Sequence, residues 1–223
     1  MEFVLSEIDP SEMWQIPQDV PEPWQARRDL ADALRVLTER CVRTEADTDA
    51  IRQAQALVDQ ATALLPEGKT AAEAFKDMSY FESPGKWIDR GALMGHCNPV
   101  APPMTIHTED GHSESTVVLG ERHVGAPGMV HGGILAACFD QLCGHCAVLS
   151  GHPGLTVDLD VRFRKPAHVH VPLHFEAHIT SVRGRLVTVE ATCERDGEQI
   201  ARCKAVFMVL DRSQGDELFT GVE

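Results

Sequence analysis

Residues 133–149 form a mostly apolar run, too long for an ordinary strand and lacking the polar stripe of a surface helix. Such a run predicts a helix buried on all sides, which needs a broad apolar surface wrapped around it. The chain downstream supplies that surface. From Leu155 to Arg164, apolar residues alternate with Thr, Asp and Arg. Val169–Ile179 repeats the pattern, and Arg185–Glu194 and Ile200–Leu210 complete the set, with Arg183-Gly184 and Asp196-Gly197 in the turns. Upstream, Met104–Thr108 and Ser115–Leu119 are shorter strand candidates joined through Glu109-Asp110-Gly111. Period-two strands with one apolar face imply an antiparallel sheet whose covered face takes the helix. The fold class is therefore α+β, an antiparallel sheet wrapped around one central helix.

The first 92 residues read differently. Residues 1–20, rich in Pro, Glu and Asp, predict an irregular tail. Pro21 and Pro23 open an amphipathic helix with Leu30, Leu34, Leu37 and Cys41 at helical spacing. Thr44 and Asp47 give a capping signal for a second helix, striped by Ile51, Ala54, Val58, Ala61 and Leu65 and ended by Pro66-Glu67-Gly68. Both stripes are expected to be buried, on the main domain or on a partner. Residues 66–100 are loop-rich, with turns at Ser83-Pro84-Gly85 and Asn98-Pro99. The expected organisation is an N-terminal helical extension over 1–92, one catalytic unit over 93–212 and a tail over 213–223.

Charge excludes some partners. Twenty Lys and Arg face 34 Asp and Glu, a formal charge of −14, which argues against nucleic acid and anionic membranes as general partners. The balance is not uniform: residues 162–204 hold eight basic residues against five acidic ones, a local +3. The acidic start has no apolar leader and no stretch approaches the ~20 apolar residues of a membrane span, so a cytoplasmic protein is expected. Seven cysteines, an odd number without framework spacing, read as reduced thiols. Cys143-Gly144-His145-Cys146 has disulfide-exchange spacing but lies inside the apolar run, whereas a lowered thiol pKa needs a helix N-terminus. These are expected to be buried helix cysteines, and His145 a hydrogen-bonded core residue. His168, His170, His174 and His178 alternate along one strand with only Glu176 as a nearby carboxylate, so a polar face and no metal site is expected.

The densest chemistry is Gly125-Ala126-Pro127-Gly128-Met129-Val130-His131-Gly132-Gly133, followed by Asp140 within the helix. Two glycines at a helix start allow close backbone approach, and the first N–H groups of a helix have no internal acceptor. That makes a donor site for a phosphate or a developing oxyanion. Asp140, amid Ala137, Cys138, Phe139, Leu142 and Cys143, requires a partner, an interface or a function.

Val130-His131-Gly132-Gly133 with Asp140, Gly154-Leu155-Thr156-Val157, Arg164-Lys165-Pro166 and Asp196-Gly197 together resemble the hotdog-fold acyl-CoA thioesterases of the PaaI-like group. Gly95-His96-Cys97-Asn98-Pro99 is similar to that group's entry into its first strand, and the resemblance spans roughly residues 93–210. It implies a hotdog fold and hydrolysis of acyl-CoA without a cofactor. It also implies that the amide of Gly132 or Gly133 polarises the thioester carbonyl while His131 holds the turn. Asp140 would be nucleophile or general base, and Thr156 would position the water or the carboxylate. Asn98 and Val130 would line the substrate, and Arg164 and Lys165 would meet the CoA phosphates.

Gly133 and Asp140 are seven residues apart, about 10 Å along one helix at 1.5 Å per residue. Both cannot reach one carbonyl carbon, whose partners sit within roughly 3–3.5 Å. The site is therefore expected between two subunits of a homodimer or dimer of dimers. Two positions depart from the family pattern. Gly125 stands where many relatives carry an Asn or Gln side chain, so that helper donor is either missing or supplied elsewhere, with His123 a candidate. The alternation puts Thr156 on the face opposite Leu155 and Val157, so that it contributes only at a dimer seam. The competing readings are an acyl-CoA-binding or partner-docking module without turnover, and a hotdog dehydratase or hydratase.

Overall fold

The computed structural model describes residues 16–76, 85–102 and 104–210. Helices α1 (Glu22–Cys41), α2 (Thr48–Ala63) and α3 (Ala71–Lys76) precede strands β1 (His107–Glu109) and β2 (His112–Val118). Helix α4 (Gly132–Leu149) follows, then β3 (Gly154–Phe163), β4 (Pro172–Arg183), β5 (Leu186–Arg195) and β6 (Glu198–Val209). The six strands form one antiparallel sheet in the order β1-β2-β4-β5-β6-β3. Asp110 and Gly111, and again Asp196 and Gly197, take positive φ, which lets each pair turn a tight hairpin matching the strand twist. Residues 1–15 of the expected 1–20 tail, the tail over 213–223 and the turn at Ser83-Pro84 lie outside the described residues.

One face of this sheet encloses α4. Leu135, Cys138, Phe139, Leu142, Cys143 and Cys146 are buried against Leu173, Phe175 and Ala177 of β4 and Val187 and Val189 of β5. Phe139 meets Phe175 edge-on, ring centres 5.1 Å apart. His145 is buried, and its Nδ1 lies 2.9 Å from Thr108 Oγ1, so the one imidazole in the helix is satisfied. Helix α4 is long and apolar enough to cross a membrane, yet half of it is buried inside the sheet's curve. Strand β4 starts three residues later than its alternation predicts. His170 adopts φ 61° and donates its N–H to Leu119 O, so the chain bends before Pro172.

The N-terminal layer departs further from expectation. Helix α1 does not bury its leucine stripe; Leu30 and Leu37 are exposed, and the inward face is Trp24, Arg28, Ala31 and Arg35. The physical reason is Asp89, 0% exposed, in the loop before β1. Its Oδ2 accepts from Trp24 Nε1 at 2.6 Å and Arg28 Nε at 2.9 Å, and its Oδ1 from His96 N at 3.0 Å. Burial pushes the Asp89 carboxyl up, but donors from Arg28, Trp24 and Cys97 outweigh it and hold the group below the usual carboxylate range. Arg35 Nη2 adds bonds to the carbonyls of Gly95, His96 and Asn98. In α2 the cap is Asp47, which accepts from Ala50 N, and no residue of this helix is buried.

Removing one member of a buried ion pair strands the other. Asp89→Ala should therefore destabilise the protein by about 3–5 kcal/mol in denaturant unfolding, whereas a paired Asp89→Leu/Arg28→Met change should recover much of that loss. Equal destabilisation by the single and double variants would contradict a pairing role.

Candidate active site at the start of the central helix

His131 caps α4. Its backbone sits at φ −63°, ψ 131°, its N–H donates to His123 O, and its Nδ1 accepts from Gly133 N at 2.9 Å. That bond separates two glycines left equivalent by the motif. The Gly133 amide is occupied by the cap, while the Gly132 N–H, at the first helical position, has no acceptor among the described residues. A Cβ on Gly132 would lie 3.3 Å from Phe163 Cζ, so the Phe163 ring packs beside Gly132. Sequence alternation assigns Phe163 to the apolar face of β3 but carries no signal that it packs beside the helix start.

Two turns further along, Asp140 is half-buried, and Thr156 Oγ1 donates to its Oδ1 at 2.8 Å. The strict alternation of β3 puts Thr156 on the wrong face for this contact. The register between β3 and β6 shifts between Thr156 and Asp158, a β-bulge at Val157. The bulge turns Thr156 to the helix side, opposite buried Phe207, while Leu155 and Val157 are exposed. Thr156 thus reaches Asp140 within one chain, without the dimer seam that the alternation demanded.

The other predicted residues are dispersed. Val130 is buried in the main core and donates its N–H to Ala167 O. Asn98 braces its own loop, with Nδ2 on Arg90 O and Oδ1 on Val100 N. Lys165 pairs with Glu198, which leaves Arg164 exposed at a cleft of about 630 Å³ on the outer face of the sheet, beside Arg162, Arg202 and Lys204. At Gly125 an added Cβ would meet His131 Cα at 2.9 Å, so the loop has no room for the family's amide side chain. His123 does not replace it. Its ring is buried and engaged by Gly120 N and Arg122 Nε. Cys143 and Cys146 are free and buried. A bond with Cys203 and burial push the Cys143 thiol up, and burial does the same to Cys146, the reverse of a redox thiolate.

Residues 127–201, a third of the chain, match the family described as the Thioesterase superfamily, and that segment holds His131, Gly132, Asp140, Thr156 and Arg164. Acyl-coenzyme A thioesterase THEM4 of Mus musculus and that of Rattus norvegicus are each 29% identical over 89 residues, 39% of this chain and 38% of theirs. The match therefore spans less than half the length of either relative. The crystal structure of a thioesterase superfamily protein superimposes with a TM-score of 0.69 at 23% identity, covering 87% of this chain and 93% of that one. This likeness establishes the fold, a hotdog preceded by N-terminal helices.

Burial, and then the Arg122 charge, push the His123 imidazole down to about 4, against an ordinary value near 6.5. Above pH 6.5 both folded and unfolded chains keep it neutral. Between pH 6.5 and 4 only the unfolded chain takes up a proton, so stability falls with pH across that window, by up to about 3 kcal/mol. Melting temperatures from pH 7 to 4 should show this decline, and His123→Gln should flatten it; an unchanged slope in the variant would refute the assignment. His96, lowered by burial and by its neighbouring arginines, contributes in the same direction.

Proposed function

We propose that this chain, which has a hotdog fold and matches the Thioesterase superfamily over residues 127–201, hydrolyses acyl-CoA thioesters to the free acid and CoA. The observation that carries the reading is the Thr156–Asp140 hydrogen bond at 2.8 Å. It fixes one carboxylate oxygen, and the reading assigns the other to the reaction. The reaction adds water across the C–S bond: oxygen joins the carbonyl carbon, and the sulfur leaves as thiol with the remaining proton. As general base, Asp140 takes a proton from the attacking water and returns it to the departing thiolate. As nucleophile, it attacks the carbon itself, the thiolate leaves and is protonated from solvent, and water then hydrolyses the acyl anhydride to the free acid and the Asp140 carboxylate. The Gly132 amide donates to the oxyanion.

These two groups belong to different subunits in the proposed site. Gly132 and Asp140 are eight residues apart on α4, about 12 Å at 1.5 Å per residue, beyond the reach of a single carbonyl. A two-fold arrangement that brings Gly132 of one subunit to Asp140 of the other supplies two sites per dimer. Exposed Leu155, Val157 and Phe163 on edge strand β3 give that arrangement an apolar seam. Arg164 supports the CoA-phosphate reading better than Lys165, whose charge is met by Glu198.

Thiol release measured across short, long and aromatic acyl-CoAs should detect turnover on at least one ester. Asp140→Asn should lower kcat by about 10²–10⁴-fold with the melting temperature retained. CoA-ester binding without turnover, unchanged in Asp140→Asn, would replace hydrolysis by the docking-module reading that the empty position at Gly125 favours. Formation of an enoyl product without thiol release would indicate a dehydratase. Gly132→Pro offers a separate probe of the amide. Proline is tolerated at the first helical position, and His131 already has the extended backbone that precedes proline. The variant should fold yet lose about 10²–10³-fold in kcat. Single-turnover hydrolysis in ¹⁸O-water labels Asp140 only if its carboxylate is the nucleophile.

A further inference from the structure

On the outer face of the sheet, away from α4, strands β2 and β4 carry two related patterns: His112-Ser-Glu114-Ser-Thr116 and His174-Phe-Glu176-Ala-His178. Their antiparallel register sets His112 opposite His178, Glu114 opposite Glu176 and Thr116 opposite His174. The intervening residues Ser113, Ser115, Phe175 and Ala177 are buried, so the histidines and glutamates share the other side of the sheet. Sequence order shows four histidines and one carboxylate here. Folding removes His170, which stands in the bend before β4 and pairs with Glu121, and brings in Glu114 from another strand.

Glu114, His174 and Glu176 each place a ligand atom within 4.8 Å of the other two. We propose that these three residues bind one divalent first-row metal ion of the zinc class. Two carboxylates directly opposite across a strand pair repel each other, and a cation between them removes that cost. His174 is oriented for the task. Its Nδ1 lies 3.0 Å from Thr116 Oγ1, and its Nε2 points at Glu176 Oε1 from 3.1 Å. With the Nδ1 proton donated to Thr116, the Nε2 lone pair faces the same space as the carboxylate, as the outer partner of a metal-binding histidine commonly arranges. One imidazole with two carboxylates suits zinc, manganese or iron better than calcium or magnesium, which prefer all-oxygen sites. The ion clips β2 to β4 on the outer face of the sheet, whereas Gly132 and Asp140 belong to the helix enclosed by the other face.

The test uses the full chain, stripped with chelator and titrated with zinc in a calorimeter. One equivalent should bind per chain. At 100-fold excess over Kd, zinc should raise the melting temperature by roughly 5–10 °C. His174→Ala and Glu176→Gln should each weaken binding at least tenfold. Without metal, His174→Ala should melt like wild type and Glu176→Gln at or slightly above it, since it relieves the Glu114–Glu176 repulsion. Glu114→Gln gives a third ligand deletion should either variant fail to fold. Cobalt(II) in place of zinc should show visible d–d bands without a thiolate charge-transfer band, which separates this cluster from the free cysteines. No zinc binding by wild type, binding that survives loss of His174 and Glu176, or a thiolate band would each overturn the proposal.

Discussion

Helix α4 has no polar face, and enclosing it is the constraint from which the rest of the molecule follows. The sheet must curve around it, so β4, β5 and β6 present unbroken apolar faces and turn their charges outward. Only the ends and one side of the helix escape cover, next to edge strand β3. The chemistry-bearing groups stand there: the capped N-terminus at His131 and Gly132, and Asp140 two turns on. A carboxylate on such a helix survives because the bulge at Val157 re-aims Thr156 to donate to it. Stability and the proposed chemistry thus meet at β3, an edge strand with Leu155, Val157 and Phe163 exposed.

The N-terminal layer is held by a different kind of interaction. A buried carboxylate, Asp89, gathers Trp24, Arg28, Cys97 and the His96 amide, and Arg35 covers three loop carbonyls. Glu39 extends the contact by accepting from the Glu121 and Arg122 amides, just ahead of the loop that ends at His131. Helix α1 is therefore tied, through hydrogen bonds, to the segment that leads into the site. Its leucine face and all of α2 remain uncovered in the single chain.

Period and composition made the central helix, the antiparallel sheet and both extension helices legible. They also located the His131–Gly132–Gly133 turn and Asp140. What they missed is long-range or local in geometry. The inward face of α1, with Arg28 and Arg35, lies off the leucine stripe because its acceptors lie some sixty residues away in the loop around Asp89. Thr156 read as facing away from Asp140 because a bulge changes the side of a strand without leaving a trace in its alternation. The roles of Gly132 and Gly133 separated only once the His131 ring was placed. The steric reason for glycine at 125, His131 packed against it, was equally invisible in one dimension.

The central claim is that a thioester is held between Gly132 of one subunit and Asp140 of another. It is tested most directly by mixing two disabled chains, Asp140→Asn and Gly132→Pro, under conditions that exchange subunits. A shared site predicts that thiol release reappears, because each mixed dimer pairs an intact Gly132 with an intact Asp140 at one of its two sites. Random exchange then returns about a quarter of wild-type activity. A mixture as inactive as its two components, with exchange verified, would contradict the account and place the whole site within one chain.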